Sequence, residues 1–140
     1  MKTRKPLSLF LAMLLAVALC AATALSGCQR SGGAGTITSS QQVGQGQTTF
    51  TFQVTVDDET TEFAVSTDKK TVGEALLDNA LIAGSQESYG LYVTEVNGLT
   101  LDYNKDGAYW ALYVNGEYAT SGVDATDINA GDVYEFRKES

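Results

Sequence analysis

Residues 71–83 read TVGEALLDNALIA, and the fold turns on whether they form a helix. Thr71 offers a side-chain oxygen to the backbone N–H groups that follow it. Glu74, three residues on, can reach back to the Thr71 N–H, which together make the capping box that starts a helix. Val72, Ala75, Leu76, Ala80 and Ala83 then recur on one side of a helical turn, a stripe suited to burial, and Gly84 is placed to end it.

On both sides of this segment the period changes from helical to alternating. From Thr48 onward, Phe50, Phe52, Val54 and Val56 share one face while Thr49, Thr51, Gln53 and Thr55 share the other, the pattern of a half-buried strand. Asp57 to Thr60 is a turn, and Glu62 to Ser66 is a second strand with Phe63 and Val65 inward. Past the helix, Leu91–Val96, Trp110–Val114 and Val133–Arg137 read as strands. Asn97-Gly98 and Asn115-Gly116 are hairpin signals, because both positions of a type I′ turn need positive φ, which Asn and Gly tolerate best. Two strands, one helix and three or more strands predict a mixed sheet with a single helix packed on one face, the α+β arrangement of a β-grasp fold, over residues 48–140.

Upstream of this domain the chain changes character twice. Lys2, Arg4 and Lys5 precede an uncharged apolar run from Leu7 to Leu25, which reads as an export signal over residues 1–27. The run ends in Leu25-Ser26-Gly27-Cys28, which resembles the lipobox of bacterial lipoproteins. In that reading Cys28 is the lipid attachment site, the mature chain begins there, and its two or more acyl chains hold it stably to a membrane. Residues 28–47 are rich in Gly, Ser and Gln with few apolar groups, and so are expected to be a flexible tether. The domain is then extracytoplasmic, lipid-anchored to the bacterial cell membrane.

Composition removes several classes of function. Cys20 falls in the signal and Cys28 carries lipid, so no thiol remains in the domain for a disulfide, a nucleophile or a metal. With Lys2, Arg4 and Lys5 removed, six basic residues face seventeen acidic ones, a formal charge of −11 that argues against nucleic acid as a partner. The chain has no histidine, which excludes Ser-His-Asp and Cys-His catalysis and imidazole ligation of a metal. Asp124, Asp127 and Asp132 are the remaining acid–base candidates, and each sits in a turn-like context where a solvated carboxylate is expected. No enzyme activity, no metal site and no required cofactor are expected.

Asp102-Tyr-Asn-Lys-Asp-Gly107 has the opening spacing of a calcium loop, but the twelfth position, which needs a bidentate glutamate, is Tyr113. A polar turn is the better reading. The residues that follow are more informative, because Tyr89, Tyr92, Tyr103, Tyr109, Trp110, Tyr113 and Tyr118 crowd into one part of the chain. Trp110, Leu112 and Val114 fall on one face of their strand, expected to be the core, and leave Tyr109 and Tyr113 for the open face. Such tyrosines either serve simply as good strand formers or build a flat platform for a planar ligand or a protein partner.

The order of these elements carries a resemblance. Tyr89-Gly-Leu-Tyr-Val-Thr-Glu-Val-Asn-Gly-Leu99, then Tyr109-Trp110, Tyr113-Val-Asn-Gly116, Gly122-Val-Asp124 and Ala130-Gly-Asp132, following a TVGEAL helix, resemble the C-terminal domain of the transcobalamin and intrinsic-factor family. Bacterial lipoproteins carry this domain in a DUF4430-type β-grasp form. The resemblance implies a domain that covers one side of cobalamin, with a corrinoid as candidate ligand. The contacts it implies are Tyr89, Gly90 and Tyr92 before the first hairpin, and Tyr113, Asn115 and Gly116 at the second. Tyr109 joins them from its place on the open face. The large helical barrel that completes the pocket in the animal proteins is absent from this chain, and without histidine any cobalamin binds with its own base or water on the metal.

Together these features describe a membrane-anchored, extracytoplasmic, non-enzymatic binding lipoprotein that presents a small-ligand domain, and that could pass its ligand to a transporter. The alternative is a cell-surface protein–protein interaction module that uses the sheet face or a strand edge.

Overall fold

The computed structural model of the chain describes residues 36–140. The expected signal peptide at residues 1–27, Cys28 and the start of the tether lie outside the described residues. In chain order the elements are β1 Thr36–Gly44, β2 Thr48–Val56, β3 Glu59–Thr67, α1 Val72–Asp78, β4 Ile82–Glu87, β5 Gly90–Val96, β6 Leu99–Thr100, α2 Tyr103–Asp106, β7 Tyr109–Val114, β8 Glu117–Tyr118, a 3-10 turn Val123–Ala125, and β9 Val133–Glu139. The fold is α+β and dominated by sheet. Six strands form one sheet in the order β1-β3-β2-β9-β7-β8, and β4-β5-β6 form a second, smaller one. The large sheet is mixed: β1–β3 and β2–β9 run parallel, and its other pairs antiparallel.

Register decides which residues share a face. Phe52 stands opposite Phe63 on one side and Tyr134 on the other, and Phe136 stands between Val54 and Leu112. These side chains are buried, and Val72, Ala75 and Leu76 of α1 join the same cluster with Leu81, Ile82, Val96, Leu101 and Val123. Trp110 and Leu112 lie on the core side as their alternation requires. Tyr134 is fully buried, and its hydroxyl is kept satisfied by accepting from the Asn129 N–H and donating to the Asp127 carbonyl, both at 3.0 Å. Both Asn-Gly pairs form the expected turns, with positive φ at Asn97, Gly98, Asn115 and Gly116.

Two expectations are corrected. The capping box at Thr71 and Glu74 is present, but the helix ends at Asp78 rather than at Gly84. Ala80 adopts φ 53, its N–H donates to the Leu77 carbonyl and the Leu81 N–H donates to the Leu76 carbonyl, which is a Schellman stop with alanine in the place glycine usually takes. The next residues therefore leave the helical period: Ala80 and Ala83 are exposed, Leu81 and Ile82 are buried in their stead, and Gly84 lies within β4. The second correction concerns the tether, since Thr36–Gly44 of that segment is a strand, paired with β3. A polar edge strand needs no large apolar face, because β3 supplies its backbone ladder, and Val43 packs against the core. Gly44 belongs to this crossing rather than to a flexible linker. It sits at φ 75, and a Cβ there would stand 2.4 Å from the Ser66 carbonyl oxygen as the chain passes over the end of β3.

Among the described residues, the outer face of the large sheet carries a polar network. Glu135 accepts from the Thr55 hydroxyl at 2.6 Å and from Arg137 Nε and Nη2 at 2.7 and 2.8 Å. The Thr55 hydrogen is committed to Glu135, so the 2.8 Å contact with Thr60 has Thr60 as donor. Glu135 is only 7% exposed although it lies on the open face. Burial opposes its ionisation, but the Arg137 fork, the Thr55 hydroxyl and the Arg137 charge together outweigh it and hold the carboxyl below its ordinary value.

Two outcomes follow. Ala80→Gly removes the left-handed strain at the helix stop and raises stability by about 1 kcal/mol, read as a higher denaturant midpoint; an unchanged or lower midpoint contradicts this. The depressed Glu135 pKa means that its contribution is complete above the ordinary carboxyl value of 4.5 and lost as pH falls through the lower folded value. Glu135→Gln therefore costs about 1–3 kcal/mol near neutrality, and the gap from the parent closes in acid. Stability curves that stay parallel across that window contradict the assignment.

Candidate functional site

The strands β7, β8 and β9 gather the aromatic and charged side chains of the open face. Tyr113 pairs in register with Glu135 on one side and Tyr118 on the other. The Arg137 guanidinium lies 4.0 Å from the centre of the Tyr113 ring, and the Tyr118 ring meets Tyr113 edge-on at 5.5 Å. The Tyr113 hydroxyl donates to Glu139 at 3.0 Å. That hydrogen bond, with burial and the Glu139 charge, raises the phenol above its ordinary value against the pull of Arg137, so Tyr113 stays a donor. Tyr113 is thus a fixed ring, and Tyr118, 60% exposed, is the ring free to meet a ligand.

Tyr118 has a second neighbourhood. Beside the β7–β8 hairpin an open groove of about 610 Å³ is lined by Val114, Asn115, Glu117, Tyr118, Thr120, Ser121, Ala125 and Thr126. The walls are mostly hydroxyl, amide and small apolar groups. Such a lining holds a ligand by stacking on one ring and by hydrogen bonds around its edge.

The residues singled out in the sequence divide among these places. Tyr113 lies on the platform, and Tyr109 is on the same face, edge-on to Tyr103 at 6.3 Å. Asn115 lines the groove, but its side chain is tied: Oδ1 accepts from the Val133 N–H at 2.9 Å. Gly116 serves the turn, at φ 85. Tyr89, Gly90 and Tyr92 belong to the other sheet, with Tyr89 79% exposed between β4 and β5 and Tyr92 exposed on β5. Gly90 is explained by packing, since a Cβ there would stand 2.9 Å from the Asp124 carboxylate. Asp124 is not the freely solvated carboxylate expected of its turn. It accepts from the Leu91 N–H at 3.0 Å and so ties the small sheet to the 3-10 turn whose Ala125 lines the groove.

Sequence reading missed Glu135, Arg137 and Glu139 as a set, although their spacing places all three on the face opposite Tyr134 and Phe136. What it lacked was the register that sets them against Tyr113. The Asp102–Gly107 stretch forms the short helix α2, with Asp102 accepting from Asn104 N at 3.0 Å and Asp106 accepting from Asp102 N at 2.7 Å. Its carboxylates serve the turn's own backbone, and Lys105 lies 3.1 Å from Asp102.

Known proteins share this architecture. A crystal structure of a candidate metal-binding protein from Ruminococcus gnavus ATCC 29149 superposes with a TM-score of 0.63 at 29% identity, covering 67% of this chain and 98% of that one. Haptocorrin in complex with Cbi superposes with a TM-score of 0.54 at 25% identity over 66% of this chain. The match covers 25% of haptocorrin, so this chain spans about a quarter of that protein. No curated protein is significantly similar to the chain. The likeness to haptocorrin agrees with the resemblance seen in the sequence. The family model described as a domain of unknown function, DUF4430, matches residues 69–139, from just after β3 through β9, and the chain belongs to that family.

Proposed function

We propose that this protein is a membrane-anchored, extracytoplasmic binding protein that captures a planar corrinoid-type ligand without transforming it. The observation that carries the reading is the position of Tyr118, at the meeting of the Tyr113–Arg137 platform and the groove. A ring there covers the face of a planar ligand while Thr120, Ser121 and Thr126 offer hydrogen-bonding groups to its edge. The likeness to haptocorrin, whose structure holds Cbi, supports the ligand class. The Cys28 motif supports the anchor, and delivery to a transporter is the role such an anchor suits.

A second reading has its own support. Among the described residues β1 pairs only with β3, which leaves a nine-residue edge without a charged side chain, suited to strand addition by a protein partner.

Calorimetric titration with cyanocobalamin and with a base-free corrinoid separates these. Ligand capture gives saturable binding on the order of micromolar, and Tyr118→Ala weakens it about tenfold, or about 1.4 kcal/mol. No heat up to about a millimolar removes the corrinoid reading and leaves the edge strand as the surface to pursue. For the anchor, Cys28→Ser should move the protein from the membrane fraction to the soluble one. Retention of that variant in the membrane would show that the apolar run, and not a lipid, holds the chain.

A further inference from the structure

The chain carries two exposed Asn-Gly turns that are nearly identical in backbone and differ in one side-chain contact. Asn97 and Gly98 have φ 49 and 79; Asn115 and Gly116 have φ 51 and 85. Around both glycines the space where a Cβ would stand is open. At the second turn the asparagine is held twice by Val133: its N–H donates to the Val133 carbonyl at 2.7 Å and its Oδ1 accepts from the Val133 N–H at 2.9 Å. At the first turn the Asn97 N–H donates to the Leu81 carbonyl at 2.8 Å, but among the described residues no hydrogen bond holds the Asn97 carboxamide.

That difference has a chemical consequence. The backbone nitrogen that follows an asparagine can attack the side-chain carbonyl carbon, and glycine leaves this nitrogen unshielded. A bond forms between the Gly98 nitrogen and Asn97 Cγ, the Cγ–Nδ2 bond breaks, and the proton of the backbone N–H departs with the amide as ammonia. Water then opens the cyclic imide at either carbonyl, to give aspartate or its iso form. No electrons are transferred, and water is the only co-reactant. Attack requires Cγ to swing toward the backbone. The free Asn97 carboxamide can make that rotation, whereas Asn115 must first give up its bond to Val133 and leave the N–H of β9 without its partner.

We propose that Asn97 is a site of spontaneous deamidation and that the Val133 N–H protects Asn115. The product adds a negative charge at the β5–β6 turn. Its iso form also inserts a backbone carbon next to a strand pairing of only two residues, Glu95 with Thr100 and Val96 with Leu99.

The test is peptide mapping by mass spectrometry after the purified full chain has been incubated at mildly alkaline pH in heavy-oxygen water, which labels the conversion as it occurs. In the folded protein Asn97 should convert about tenfold faster than Asn115, the factor that corresponds to one hydrogen bond of about 1.4 kcal/mol. In denaturant, where the Val133 contact is gone, the two should convert at similar rates. Equal rates in the folded protein overturn the proposal. So does protection of both sites in the folded protein when both convert in denaturant, since the shared turn geometry and not the tether would then control the reaction.

Discussion

The parallel ladder between β2 and β9 is the contact on which the rest of the structure depends. On one side of it lie β1 and β3, and on the other β7 and β8, so β9 is the seam of the large sheet. Its inward residues, Tyr134 and Phe136, complete the aromatic core against Phe50 and Phe52. Of its outward residues, Arg137 and Glu139 hold Tyr113 in place, and Glu135 holds Arg137. One strand thus sets core packing with one face and the candidate site with the other, and the strict alternation of a strand is what allows it to do both. The pairing joins segments about eighty residues apart, so loop-closure entropy weighs heavily against it until the core assembles.

Much of this was legible in the residues. Alternation gave the strands from Thr48 to Val56 and from Trp110 to Val114, and the Asn-Gly pairs gave two hairpins, because these signals are local. The capping box was equally local, and only the helix stop was misplaced, since the buried Leu81 forces Ala80 into a conformation its residue type does not advertise. The strand β1 was illegible for a different reason. Its order comes from β3, and a segment of Thr, Ser and Gln looks the same whether it pairs at a sheet edge or remains in solvent.

The candidate site was legible in part. The open-face position of Tyr113 followed from Trp110 and Leu112 pointing inward, whereas its Arg137 cover and the groove beside Tyr118 depend on which strands become neighbours. Gly90 and Asn115 stood out in the sequence for sound reasons, but both turn out to serve backbone contacts, one making room for Asp124 and the other receiving Val133. Asp124 shows the converse: a residue that reads as a solvated carboxylate in a turn ties the small sheet to the 3-10 turn through one backbone N–H.

The central place of β9 also bears on how the chain reaches its fold during synthesis. The earlier strands can form hairpins as they emerge, β2 with β3 and β7 with β8, but in the large sheet these remain separate pieces. Until Val133–Glu139 has been made there is nothing to join them. The large sheet therefore stays open until that strand is available, when its two halves can close in one cooperative step.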